Sequence, residues 1–115
     1  PNLKLIASHL GGMILLYLDR LNWREGNPLC KEEPEVYFKK IFYDTAGPIR
    51  ASFIKLVYDT VGAEQILFGA DYPHGRAGLD DQFYPMTLKA MEELDVPQAD
   101  KEKIYYLNAK KLLNI

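Results

Sequence analysis

The sequence predicts an α/β fold built on a parallel sheet. Three short runs of apolar, β-branched and aromatic residues alternate with stretches in which apolar residues recur at helical spacing. This alternation requires right-handed crossovers, which make the strands parallel and bring their carboxyl ends to one edge of the sheet. The first run ends on His9 and the third on Asp71. In enzymes with a parallel α/β sheet, catalytic groups lie at the carboxyl ends of the strands. We therefore interpret these two residues as halves of one site.

Each predicted element has a local signal. Glycine or proline follows the first two predicted strands and the first predicted helix. A proline lies in the first turn of the short second helix, and Gly62 is placed to cap the third helix. Asn108 is placed to cap the last helix through its side-chain oxygen. The predicted strands are 3–8, 41–45 and 66–70, and the predicted helices are 13–24, 33–40, 50–62, 83–94, 101–107 and 109–113.

Composition restricts the classes of function. The chain has 115 residues, of which 48% are hydrophobic and 26% charged, as in an ordinary globular domain without an internal boundary. Its net charge of −2 argues against nucleic acid as a partner. Because it has neither an apolar run of about 20 residues nor a secretory signal, we expect no membrane association and a cytoplasmic location. The single cysteine, Cys30, is given no role.

The length suggests part of a larger fold. A complete eight-stranded α/β barrel takes about 250 residues, so three strand-helix units correspond to the closing segment of a longer barrel. Three parallel strands also leave two open edges, which allows a second interpretation, a non-catalytic module that self-associates or docks to another polypeptide. A third is a small nucleotide-binding domain that uses Gly11 and Gly12, although no complete phosphate-loop motif is present.

Four polar residues are candidates for the site, each with a structural alternative. His9 can act as a general acid or base, or be a hydrogen-bonded histidine at a turn. Asp71 directly follows an apolar strand, where a divalent cation would compensate its burial, but an aspartate in a turn is also common there. His74 can contact substrate or metal, or be a solvated loop residue, and Asp44 can orient a ligand or shape a turn.

Four stretches in register resemble the amidohydrolase-related family of metal-dependent enzymes. That family includes aminocarboxymuconate-semialdehyde decarboxylase and resorcylate decarboxylases. The resembling stretches are 1–5 leading to 9–12, then 43–47, 66–73 and 108–113, and they cover the chain in the family's order. Ala70 stands where family members commonly have serine.

The resemblance implies that the three strands are the sixth to eighth of a metal-dependent (β/α)8 TIM barrel. Asp71 would match the aspartate that ligates the metal or holds its water, and His9 the histidine that activates this water or relays a proton to substrate. The implied cofactor is a divalent metal ion, expected to be zinc. The implied reaction is hydrolysis, or non-oxidative decarboxylation of a small carboxylated ring or ene substrate.

The resemblance also bears on assembly. The family's other metal ligands, on the first and fifth strands, have no counterpart here, so we expect the isolated chain to be inactive and to hold metal poorly. The expected partners are a small-molecule substrate and either a second copy of the protein or the rest of the barrel.

Overall fold

A computed structural model of the protein describes residues 3–21, 29, 31–47, 49–75 and 82–115. The predictions made for the end of the first helix, for Cys30 and for the second half of the loop after Asp71 lie outside these residues.

The described residues contain a parallel sheet of three strands in the order β1-β2-β3. These are β1 (Ile6–Ala7), β2 (Phe42–Asp44) and β3 (Ile66–Leu67). Ala7 pairs with Tyr43, and Asp44 pairs with Leu67. The parallel α/β arrangement is therefore confirmed, although each strand is shorter than predicted.

The strands are short because their backbones change hydrogen-bonding partners. After β3, the N–H of Phe68 donates to the carbonyl of Ile104, 2.9 Å away in the helical segment Lys103–Leu107, and no longer to a strand. After β1, the chain enters a left-handed turn at His9. Both changes occur at the carboxyl ends of the strands, where candidate site residues lie.

The helices follow the predicted order with changed bounds. A 3₁₀ helix (Ile14–Arg20) replaces the first predicted α-helix and is followed by α1 (Pro34–Phe38), α2 (Ala51–Val61), α3 (Phe83–Glu93), α4 (Gln98–Glu102) and α5 (Asn108–Leu113). Gly62 ends α2 with φ +87°, and its N–H donates to the carbonyl of Tyr58 over 2.9 Å, which confirms the predicted cap.

The predicted capping role of Asn108 is wrong. A π-helical segment (Lys103–Leu107) joins α4 to α5, so Asn108 lies inside continuous helical backbone with φ −64° and ψ −42°. A capping residue would have an extended backbone. The buried Asn108 amide instead donates to the carbonyls of Ala63 and Ile66, each over 2.8 Å. These two hydrogen bonds therefore connect the last helix to the start of β3.

One apolar core joins the sheet to the helices. Its fully buried side chains come from β2, α2, β3, α3 and the π-helical segment, and they are Tyr43, Ile54, Ile66, Met91 and Ile104. The Tyr43 hydroxyl donates to the carbonyl of Phe38 over 3.0 Å, and burial raises the pKa of Tyr43 to about 12. The core thus fixes β2, the central strand, below the candidate site.

Candidate active site

His9 lies in a left-handed turn directly after β1. Residues 9–13 all have positive φ, with values of 54° at His9, 53° at Leu10 and 69° at Met13. The N–H of Gly12 closes the turn on the carbonyl of His9 over 3.0 Å. Left-handed backbone costs a non-glycine residue roughly 1–2 kcal/mol. Contacts from elsewhere in the fold must therefore hold this turn.

Asp44, the last residue of β2, supplies such a contact. Its Oδ1 accepts the backbone N–H of His9 over 2.9 Å and the N–H of Ala46 over 3.1 Å. The sequence left open whether Asp44 orients a ligand or shapes a turn. In the structure, one carboxylate oxygen shapes the turn after β2 and also binds the backbone of the turn after β1.

The His9 imidazole packs against the loop after β2. Its Nδ1 lies 3.1 Å from the carbonyl oxygen of Ala46. Because a carbonyl can only accept, Nδ1 carries the proton of this hydrogen bond, and Nε2 is left for other chemistry. A Cβ atom at Gly47, where φ is +93°, would lie 3.2 Å from Nδ1. The glycine therefore leaves room for the ring.

The imidazole also borders an apolar cavity of about 100 Å³. The 3₁₀ helix and α2 contribute most of its wall, including Leu15, Leu16, Phe53 and Val57. Among the described residues that line it, His9 is the one with a titratable side chain.

Asp71 follows β3 on a segment that is bound to the end of β2. The Thr45 hydroxyl accepts the N–H of Gly69 over 3.1 Å and donates to the carbonyl of Gly69 over 2.9 Å. Asp71 has φ +60°, and its carbonyl accepts the N–H of His74 over 2.8 Å. Its carboxylate is half-buried and accepts no hydrogen bond from any described residue.

The parallel sheet brings His9 and Asp71 to the same edge. They follow the two outer strands, and Asp44 with its loop lies between them on the central strand. Two strand spacings separate β1 from β3 by about 10 Å. His74 is exposed, and its backbone N–H donates to the carbonyl of Asp71. Within the described part of the chain, its side chain forms no hydrogen bond with His9 or Asp71.

Two residues of this edge were missed in the sequence. The sequence places Thr45 and Gly47 at the end of the second strand and in the turn after it but assigns them no part in the site, although Thr45 binds the segment before Asp71 and Gly47 faces His9. The available signal was their position directly after a strand, next to an aspartate.

The described residues supply only part of a metal-binding site. Over residues 3–21, 29, 31–47, 49–75 and 82–115, no three His, Cys, Asp or Glu side chains come together to hold an ion. Asp71 offers an oxygen donor, whereas a catalytic zinc site takes three protein ligands. The described chain therefore fits one part of a metal site.

Within the described residues, no helix combines the length and apolarity needed to cross a membrane.

Enzymes with parallel α/β sheets carry their catalytic side chains at the carboxyl ends of the strands, which is where His9 and Asp71 lie. The family model described as Amidohydrolase matches residues 1–115, so the chain belongs to the amidohydrolase family. The resemblance found in the four sequence stretches is thereby confirmed.

Several similar proteins are decarboxylases. Decarboxylase orsB of Emericella nidulans is 24% identical over an alignment of 124 positions, gaps included, which covers 100% of this chain and 35% of that protein. The dihydroxybenzoic acid decarboxylase of Polaromonas sp. JS666, with bound manganese and the inhibitor 2-nitroresorcinol, has a TM-score of 0.78 at 24% identity, covering 96% of this chain and 33% of that one. The 5-carboxyvanillate decarboxylase of Sphingomonas paucimobilis has a TM-score of 0.79 at 22% identity, covering 97% and 34%. The chain thus spans about a third of the length of these relatives and shares their fold there.

Proposed function

We propose that this chain forms one wall of the active site of a metal-dependent, non-oxidative decarboxylase that acts on a small carboxylated aromatic ring. The observation that carries this proposal is the presence of His9 and Asp71 at the same edge of a parallel sheet. The decarboxylase activity of similar proteins supports it. The three strands would be the sixth to eighth of a (β/α)8 barrel.

His9 would be the proton donor. Protonated His9 would transfer the Nε2 proton to the ring carbon that bears the carboxylate. The bond between that carbon and the carboxylate would then break, with its electron pair returning to the ring and carbon dioxide leaving. The hydrogen bond from Nδ1 to Ala46 supports this role, since it holds the ring with Nε2 available.

Asp71 would act as a metal ligand. A bound divalent ion would supply Lewis-acid stabilisation of negative charge on the substrate. The carboxylate suits a hard divalent ion, and no described residue competes for it by hydrogen bonding. Zinc is the expectation from the sequence, and manganese is the ion bound in the Polaromonas enzyme. Elemental analysis of the purified full-length protein distinguishes the two.

His74 would contact the substrate from the loop after Asp71. Its exposed side chain and its backbone hydrogen bond to Asp71 support this position. His74→Asn is expected to raise KM more than it lowers kcat. A fall in kcat at unchanged KM would contradict a role in substrate binding.

The remaining strands of the barrel would cover the edge of β1. Leu3, Leu5 and Ile6 are 87%, 51% and 44% exposed, which is unfavourable for a sheet edge left in water. Pairing with a neighbouring strand of the same barrel would bury them. Self-association of the protein through this edge is the alternative. In the full-length protein, amide hydrogens of residues 3–7 that exchange slowly, and at the same rate at all protein concentrations, would favour the barrel. A cytoplasmic location stays a prediction.

The test is turnover by the full-length protein, with carbon dioxide release measured from 2,6-dihydroxybenzoate and 5-carboxyvanillate. We expect His9→Asn and Asp71→Ala each to lower kcat by about 10²- to 10⁴-fold without unfolding the protein. Asp95→Ala, which removes an exposed carboxylate, is the matched control and should leave kcat unchanged. Near-normal turnover by both site variants would refute the assignment, and hydrolysis of an ester or amide without decarboxylation would identify the protein as a hydrolase.

A further inference from the structure

We propose that Asp44 is a positioning residue that fixes the tautomer of His9 and thereby selects Nε2 as its reacting nitrogen. This role rests on the proposed function, because it matters for activity only if His9 transfers a proton. The contacts themselves hold whether or not it does.

Asp44 holds the backbone of His9 in an unfavourable conformation. With φ 54° and ψ 47°, this residue has a conformation that non-glycine residues avoid. Its N–H donates to Oδ1 of Asp44 over 2.9 Å, across 35 residues of sequence. A charge-assisted hydrogen bond of this kind is about twice as strong as a neutral one. Asp44 therefore helps to hold His9 in the left-handed region.

Asp44 also holds the loop against which the imidazole packs. The same Oδ1 accepts the N–H of Ala46, whose carbonyl in turn accepts the Nδ1–H of His9. One carboxylate oxygen thus binds both the backbone that carries the ring and the residue that binds the ring. Loss of Asp44 would loosen both ends of this contact.

The far end of this loop is bound to α3. The buried hydroxyl of Thr87 in α3 shares its single proton between the carbonyl of Gly47, 2.8 Å away, and that of Phe83, 2.9 Å away. Gly47 presents no side chain to Nδ1, and a Cβ there would come within 3.2 Å of it. The loop is therefore held by Asp44 at its start and by Thr87 at its end, with the imidazole against it.

These contacts have a defined chemical consequence. In neutral histidine one ring nitrogen carries a proton and the other a lone pair. Because the Ala46 carbonyl requires a proton on Nδ1, the lone pair lies on Nε2. Asp44 acts as an acceptor through one oxygen, a task that an asparagine amide oxygen can also perform. The proposal therefore predicts different effects for Asp44→Asn and Asp44→Ala.

The experiment uses the full-length protein labelled with ¹⁵N in its histidine rings and kept free of paramagnetic metal. Ring ¹⁵N shifts report the tautomer, and the His9 signals are those that vanish in His9→Asn. We expect wild type and Asp44→Asn to show neutral His9 protonated on Nδ1. Asp44→Ala should show a substantial population protonated on Nε2, together with a fall in kcat of about 10²-fold at similar KM.

Several outcomes would overturn the proposal. They are an Nε2-protonated His9 in wild type, a switched tautomer in Asp44→Asn, and an Asp44→Ala variant that keeps both the wild-type tautomer and kcat. If Asp44→Ala fails to fold, Gly47→Ala replaces it, since a Cβ at Gly47 crowds Nδ1, and an unchanged tautomer would contradict the proposed packing. If wild type turns over none of the substrates, the proposed function fails while the tautomer measurement still decides the role of Asp44.

Discussion

Thr45 and Gly69 exchange two hydrogen bonds through a single hydroxyl. Thr45 Oγ1 accepts the N–H of Gly69 and donates to its carbonyl, while the Thr45 N–H donates to Leu67 over 3.0 Å. The Thr45 side chain, with 0% exposure, thus extends the contact between β2 and β3 beyond the end of the ladder. Asp71 lies two residues further on, so this contact fixes the start of the segment that carries it.

Thr45→Val should therefore destabilise the protein although it preserves the shape of the side chain. It would leave the N–H and carbonyl of Gly69 without their partner, at a cost of about 1–3 kcal/mol. Chemical denaturation measures this as a lower free energy of unfolding. Thr60→Val is the matched control, because the Thr60 hydroxyl only donates to Leu56 within α2 at an exposed position. Equal losses in the two variants would show that the contact with Gly69 is not special.

Gly47→Ala should impair the site more than Gly12→Ala. Both glycines have positive φ, so alanine costs backbone energy of about 1–2 kcal/mol at either position. A Cβ at Gly47 would also lie 3.2 Å from Nδ1 of His9, whereas a Cβ at Gly12 would have no atom of a described residue within 4 Å.

Turnover and stability of these two glycine variants separate the effects. We expect both to lose stability and only Gly47→Ala to lose an additional 10-fold or more in kcat through the displaced imidazole. A larger loss of kcat in Gly12→Ala would contradict the packing of His9 on Gly47.

Asn108→Ala should be among the more destabilising substitutions in the last helix. It removes both donors from the carbonyls of Ala63 and Ile66, which lie in a buried part of the fold. The expected loss is about 2 kcal/mol in the free energy of unfolding. Asn108→Asp should be at least as harmful, because an ionised carboxylate cannot donate. Gln98→Ala, at an exposed position of α4, should change stability by less than about 0.5 kcal/mol and serves as the control.

The sequence predicted those features that depend on local signals. The three strands, the helix ended by Gly62 and the shared edge of His9 and Asp71 follow from residue patterns and from the rules for parallel sheets. Asn108 was misassigned because the residue types that cap helices also serve as buried donors, and only tertiary contacts separate the two roles.

The turn at His9 could not be predicted for a related reason. Its left-handed backbone contradicts local preference and is held by Asp44, which is 35 residues away in the sequence. The elements of the site are thus local, while the contacts that orient its side chains are not.

The ion pairs around Lys103 should give the protein a pH-dependent stability. Its Nζ donates to Oδ1 of Asp100 over 2.7 Å and to Oε1 of Glu64 over 2.8 Å, and the hydroxyl of Tyr58 donates to Oδ2 of Asp100 over 2.7 Å. The hydrogen bond from Lys103, followed by that from Tyr58, lowers the pKa of Asp100. The hydrogen bond from Lys103 also lowers the pKa of Glu64.

The sign of the pH effect follows from these directions. Since both carboxyl groups bind protons more readily in the unfolded chain, their contribution is complete above the unfolded pKa values of about 4 and is lost as pH falls through the lower folded values. Lys103→Met should therefore lower the melting temperature at pH 7 and reduce its fall between pH 5 and pH 2. Lys110→Met, at an exposed position of α5, should leave that fall unchanged. If the melting temperature of Lys103→Met falls between pH 5 and pH 2 by as much as that of wild type, the ion pairs do not contribute to acid sensitivity.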